Sequence, residues 1–232
     1  MAGPMTEFTR YAVYYAPPEG SALARFGANW LGWDATLGRV TPHPQSALDV
    51  AAITQTPRKY GFHGTLSAPL RLREGITPES FFDAVSSLAG NLAPFQTSPL
   101  KLKRIGAFLA MVPSKPSGDL NALHARCVRD LVRFRAPATE AELAKRRANG
   151  LTPEQDALLL RWGYPYVLSE FRFHLTLSSR LDPETADAIE TELHALTAPF
   201  CSDPFEVSEL ALFAERAEDG QFQIIRRYPL GS

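Results

Sequence analysis

Two short segments, His63-Gly64-Thr65 and His174-Leu175-Thr176, hold the residue types best suited to chemistry in this chain. Each follows a phenylalanine and precedes Leu-Ser, and together they use two of only five histidines. Imidazole titrates near pH 6.5, so in one cleft one ring can take a proton while the other gives one. The hydroxyls of Thr65 and Thr176 suit the non-bridging oxygens of a phosphoryl group, and a guanidinium such as that of Arg172 suits the same oxygens with full charge. Acid–base cleavage of a phosphodiester is the chemistry these types suggest.

An extended chain turns successive side chains to opposite faces. Over 60–67 that puts Gly61, His63, Thr65 and Ser67 in one row, against Tyr60, Phe62, Gly64 and Leu66. Over 171–178 it puts Arg172, His174, Thr176 and Ser178 against Phe171, Phe173, Leu175 and Leu177. On one strand alone such a row is ordinarily the wet face of a half-buried sheet. The two segments, however, align at an offset of 111 residues, and further matches follow them. Asp182-Pro183-Glu184 announces a helix as Thr77-Pro78-Glu79 does, and Phe95, Ser98, Leu100 and Leu102 recur 110 residues on as Phe205, Ser208, Leu210 and Leu212. A duplicated α+β unit would bring both strands to a pseudo-twofold axis and their polar rows to one cleft. Lys59 shares the parity of His63, as Arg172 shares that of His174, so both are candidates for meeting a substrate's charge.

The elements needed to hold these rows can be read along the chain. Residues 10–16 (RYAVYYA) predict a strand ended by Pro17-Pro18, and 21–31 a helix. The proline-containing stretch 38–57 reads as a surface connection with one short helix near 46–53, and a strand pair spans 95–112. Between the repeats, Leu120, Leu123, Cys127, Leu131 and Phe134 mark an amphipathic helix over 119–135, with Arg126, Arg129 and Arg133 on another face. Thr139 with Glu142 and Thr152 with Gln155 are capping boxes for two more helices, the first stopped at Asn149-Gly150 and the second near Trp162-Gly163. The expected organisation is a first lobe over about 1–115, a helical insertion over 116–166 serving as a lid or side wall, and a second lobe over 167–232.

Composition narrows the function classes. Twenty-four basic residues against 25 acidic ones give a formal charge of −1, which argues against a chain held on nucleic acid by bulk charge. The distribution is uneven, since 101–147 carries 11 basic and four acidic groups and the final third is acidic, so any polyanion site is local. Neither histidine motif brings a second His, Cys or carboxylate at ligand spacing, and no metal or other cofactor is expected. P-loop, GxGxxG and GxSxG patterns are absent from the sequence. The two cysteines are far apart, and the longest wholly apolar stretch, about 107–112, is too short to span a membrane, which fits a cytoplasmic protein with no membrane partner. Nothing in the sequence requires a protein partner. His43, His124 and His194 read as exposed or helix-edge residues.

Taken together, the motifs resemble the 2H phosphoesterase superfamily, and within it a LigT-like branch associated with phosphonate metabolism. The resemblance lies in RYAVYYAPP from Arg10, YGFHGTL from Tyr60, FRAP from Phe134, ELAKRR from Glu142 and, most distinctively, LTPEQDALLLRWGYPYVLSEFRFHLTL over 151–177. It implies a two-lobed, duplicated LigT-like α+β fold with the cleft between the lobes. It further implies His63 and His174 as the catalytic pair, Thr65 and Thr176 as phosphate-binding hydroxyls, and Arg135 and Tyr166 as residues near the substrate. Gly64 occupies the variable position of its motif. The activity implied is metal-independent opening of a small cyclic phosphate, most simply on a ribose. Action on an RNA end with the basic insertion as the RNA surface, or nucleotide binding without turnover, are the alternatives.

Overall fold

The computed structural model describes residues 7–148 and 150–231; Asn149 of the expected helix stop lies outside them. Strand β1 (Phe8–Tyr15) is followed by α1 (Ala22–Leu31), the two-residue strands β2 (Trp33–Asp34) and β3 (Arg39–Val40), and the single-turn helices α2 (Val50–Ile53) and α3 (Gln55–Arg58). Next come β4 (Gly64–Leu70), α4 (Pro78–Gly90), β5 (Phe95–Thr97) and the hairpin β6 (Leu100–Ile105) and β7 (Phe108–Pro113). The insertion supplies α5 (Gly118–Leu131), α6 (Glu140–Arg147) and α7 (Pro153–Trp162). The chain closes with β8 (Leu175–Thr176), α8 (Pro183–Thr197), β9 (Phe205–Val207), β10 (Glu209–Arg216) and β11 (Phe222–Pro229). The connection before β4 thus carries two helical turns and a small hairpin where one short helix is predicted.

Local signals explain most boundaries. Side chains of Ser21, Thr77, Ser117, Thr139, Thr152 and Asp182 each accept the otherwise free amide three residues on, and prolines stand at the first turn of α4, α7 and α8. Both predicted capping boxes form. Gly163 ends α7 in the left-handed region at φ 75°, and a Cβ there would stand 2.4 Å from the Cδ of Arg135.

Seven antiparallel strands form one sheet in the order β11-β10-β1-β4-β8-β7-β6, while β5 and β9 pair by themselves. Duplication is visible in the pairing. Gly64 faces Leu175 and Gln96 faces Glu206, so residues equivalent at offsets of 111 and 110 oppose each other across one axis. Outer strands are exchanged: the β6–β7 hairpin of the first repeat lies beside β8 of the second, and the β10–β11 hairpin of the second lies beside β1 of the first. One sheet face packs the main core, where Val13, Leu66, Leu70, Leu175 and Leu177 meet Trp30, Phe81 and Ile189 of the helices. The other face holds a smaller cluster around Tyr14, Ala211, Phe213 and Phe222.

Candidate active site

The motif histidines meet where β4 and β8 touch. Gly64 pairs with Leu175; continuing that antiparallel register by one residue each way sets His63 across from Thr176 and Thr65 across from His174. Directly opposed side chains share a face about 4.5–5.5 Å apart. Each imidazole therefore has a threonine of its own strand and one of the other strand beside it.

Both rings are held in the same way. His63 Nδ1 lies 2.9 Å from the carbonyl oxygen of Gly61, and His174 Nδ1 lies 2.7 Å from that of Arg172. A carbonyl can only accept, so each Nδ1 carries the proton, and in the neutral ring Nε2 is the basic nitrogen. His63 Nε2 stands 3.2 Å from the Thr65 hydroxyl.

Surroundings separate the two rings. Tyr14, buried on β1, stacks on His63 with centroids 3.9 Å apart and planes 23° from parallel. Tyr14 pairs with Thr65 as Ala110 pairs with Thr176, so the position that covers His63 is filled in the other half by a methyl group. Burial, with the nearby His174 adding to it, pushes the His63 pKa down to about 4, while burial lowers that of His174 from 6.5. Burial favours the neutral form of both rings, and at His63 the charge of His174 adds to it.

The expected polar rows are shorter than the alternation suggests. Regular pairing in the second motif covers only Leu175–Thr176, not 171–178. Ser178 is buried and accepts the amide of Leu109, and the amides of Leu177 and Ser178 both reach the Leu109 carbonyl, which ends the ladder. Ser67 is also buried. Neither serine belongs to the wall. Nor is Gly64 free to vary: a Cβ on it would lie 2.6 Å from two ring atoms of the buried Phe173.

The remaining predicted residues are spread out. Lys59 caps α3 instead of extending the strand, and its Nζ is 2.9 Å from Glu215 Oε1. Arg135 donates to the carbonyls of Ala68 and Pro69 at 2.7 and 2.9 Å, which ties the insertion to the end of β4. Arg172 is exposed, and its carbonyl, not its guanidinium, makes the contact to His174; its side chain borders an open groove with Lys101, Lys103 and Lys115. Tyr166 is 42% exposed and touches the ring of Tyr164 edge-on. Arg126, Arg129 and Arg133 line a depression between α4 and α5 that includes no motif residue.

Three contributors escape sequence reasoning. Tyr14 lies within a strand pattern that reads as core. Tyr60 falls in the apolar row of the alternation, yet its ring is 6.1 Å from that of His63 and stacks on Phe222. His124, expected at a helix edge, is 2% exposed: its Nδ1 meets the Leu66 carbonyl at 2.8 Å and its Nε2 accepts the Leu168 amide at 3.0 Å, joining β4 to the segment that leads into β8. Among the described residues no group of three or more His, Cys, Asp or Glu is placed to hold a metal ion, and no helix is long and apolar enough to cross a membrane.

A family described as protein of unknown function (DUF1045) matches residues 65–223, which takes in most of the chain and the second motif whole. The chain belongs to the DUF1045 family. It is also 34% identical over 233 residues to a protein of Janthinobacterium sp. (strain Marseille) named ribose 1,5-bisphosphate phosphokinase PhnN, covering 95% of this chain and 51% of that protein. A Laribacter hongkongensis (strain HLHK9) protein of the same name is 34% identical over 220 residues, covering 94% of this chain and 51% of its own. This DUF1045 chain thus spans about half the length of the curated relatives it matches. Among solved structures, E. coli LigT complexed with 3'-AMP aligns with 97% of this chain and 100% of its own at 15% identity and a TM-score of 0.48. A structure described only as a phosphoesterase aligns with 97% and 100% at 14% identity and a TM-score of 0.46.

Proposed function

We propose that this DUF1045 protein is a metal-independent phosphoesterase of the 2H type, opening a cyclic phosphodiester on a ribose-like sugar. The observation that carries this reading is the pairing of Gly64 with Leu175, whose register continued by one residue each way sets each histidine opposite the other motif's threonine, with each Nδ1 held by the carbonyl two residues before it. In the proposed step, neutral His63 takes a proton at Nε2 from water as the water oxygen attacks phosphorus. The bond from phosphorus to one sugar oxygen breaks, and His174 delivers its Nε2 proton to that oxygen. Thr65 and Thr176 donate to the non-bridging oxygens as charge grows there. Water is consumed, a phosphomonoester is left, and the two rings exchange protonation states, reset through solvent. The split of roles rests on Tyr14, whose stack helps keep His63 desolvated and in the neutral form that can accept a proton. The name of the longer relatives contains a phosphorylated ribose, which supports a sugar phosphate as substrate, and the resemblance to the LigT-like branch supports a place in phosphonate metabolism.

The test is turnover of ribose cyclic phosphates and nucleoside 2′,3′-cyclic phosphates by wild type, His63→Ala and His174→Ala in the presence of a chelator. Wild type is expected to remain active under chelation. Each variant is expected to lose at least ~100-fold in kcat with its circular dichroism unchanged, and the double variant to be little worse than the worse single. Near-wild-type turnover by either single variant would refute the mechanism.

A further inference from the structure

The sheet face that carries the motif residues continues past β8 and β7 to the edge strand β6. Lys103 pairs with Ala110, and Ala110 with Thr176. Lys101 pairs with Val112, which the same register, continued by one residue, sets across from His174. Directly opposed residues of antiparallel strands share a face. Both lysines therefore stand on the side of His174 and Thr176, while Leu100 and Leu102, which alternate with them, are buried in the main core.

An open groove of about 570 Å³ runs over this part of the face, with Val112 and Pro113 in its wall. Lys101 and Lys103 line it from the edge, Lys115 from beyond the end of β7 and Arg172 from the second motif, and no carboxylate lines it. Arg104 in the same wall is neutralised by Asp187 and Glu190, each at 2.5 Å. Among the described residues no carboxylate lies within ion-pair distance of Lys101, Lys103, Lys115 or Arg172. Lysines on an edge strand ordinarily keep other chains from adding to the sheet. That role explains Lys101 and Lys103 singly, but not the company of Lys115 and Arg172 in a groove without acid.

Distance decides what these cations do. A phosphoryl group between His63 and His174 stands two and a half strand spacings from β6, ~12 Å, and a lysine side chain covers roughly half of that. The ammonium thus stops ~6 Å short, too far for a hydrogen bond yet inside the screening length of ~8–10 Å at ordinary salt. The whole chain carries a formal charge of −1, so this positive field is local to the mouth of the site.

We propose that the groove is an electrostatic entry for anionic substrate, in which Lys101, Lys103, Lys115 and Arg172 draw a phosphodiester to the His174 side of the pair. The proposal rests on the reading of that pair as a phosphodiester site, and it makes the groove cations determinants of capture, not of the chemical step. Because the proton moves within the pair, the net charge at the site is the same for bound substrate and transition state. A field of this kind raises kcat/KM and leaves kcat alone.

Two measurements test this. With a nucleoside 2′,3′-cyclic phosphate, Lys101→Gln/Lys103→Gln is expected to lower kcat/KM about three- to tenfold at about 20 mM salt and less than about twofold at about 0.5 M, with kcat within about twofold of wild type at both. Lys101→Arg/Lys103→Arg keeps the charge while changing donor geometry, and is expected to match wild type, as is Arg126→Gln in the depression between α4 and α5. In an NMR titration of the His174 ring at low salt without substrate, the midpoint is expected to rise by about 0.5 of a pH unit in the glutamine variant and to stay in place in the arginine variant. His63 and Arg172, the charged neighbours of that ring, are the same in both proteins. Wild-type kcat/KM in the glutamine variant at low salt, a loss that persists at high salt, failure of the arginine variant to restore it, or an unmoved His174 titration would overturn the proposal. If no cyclic phosphate is turned over but the His174 titration moves as expected, the field stands and the phosphodiesterase reading fails.

Discussion

Replacing His124 by glutamine probes the contact that ties the two motif segments together. In the native fold the neutral ring donates from Nδ1 to Leu66, accepts at Nε2 from the Leu168 amide, and lies 3.7 Å from the ring of Phe171 with planes 4° apart. A second proton would turn Nε2 into a donor facing a donor. Burial first, outweighing the raising effect of the Leu66 carbonyl, holds the pKa at about 4, against ~6.5 for an unfolded histidine. Between those values the unfolded chain binds more protons than the folded one. The stability is fully present above about pH 6.5 and is lost as pH falls toward 4. At pH 5 the loss from this residue is about 2 kcal/mol. His63, also held near 4, adds a comparable loss. Glu142 and Glu215, held near 2 by their cation partners, stay ionised across this window and do not mask it. The assay is urea denaturation at pH 7.5 and pH 5.0. His124→Gln is expected to be less stable than wild type at pH 7.5, by ~1–3 kcal/mol where its amide fails to match both bonds, yet to lose about 2 kcal/mol less than wild type on going to pH 5.0. An identical loss in both proteins would refute the assignment of His124 as a buried neutral pin.

The pair itself predicts a bell-shaped kcat/KM profile, falling below about pH 4 as His63 takes up a proton and falling again on the alkaline side below pH 6.5 as His174 gives one up, both limbs being properties of the coupled pair. Tyr14→Ser removes the stacked ring and should move the acid limb upward; an unmoved limb would sever the link between burial and base strength. Gly64→Ala drives a methyl group into the Phe173 ring and should cost ~1–3 kcal/mol in urea denaturation, together with a loss of kcat/KM as the motifs are pushed apart; unchanged values for both would show that the motif contact is loose.

Much of this arrangement was legible in the sequence because it depends on local chemistry or on repetition. Caps at Thr77, Thr139, Thr152 and Asp182, prolines at first turns and Gly163 at a helix end act over a few residues, so they can be read without the fold. The offset repeat likewise announces that two His-x-Thr segments adjoin, since like halves related by a twofold axis bring like strands together. Other features depend on contacts between residues remote in sequence. Strand alternation places Ser67 and Ser178 beside the histidines, but Leu109 captures the hydroxyl of Ser178 from across the sheet and stops the strand at Thr176. Lys59 keeps the right parity only if the strand begins before it, and α3 intervenes. The basic run over 101–147 reads as one surface, yet folding sends Lys101 and Lys103 to an edge strand, Arg126 and Arg129 to a helix pair, and Arg135, Lys145 and Arg146 to a cavity by Tyr60. Repetition in the sequence marks the two histidines as a pair; only tertiary packing makes them unequal, because Tyr14 on β1 stacks on one ring while Ala110 on β7 puts no ring in the equivalent place and Phe108 meets the other only at a tilt.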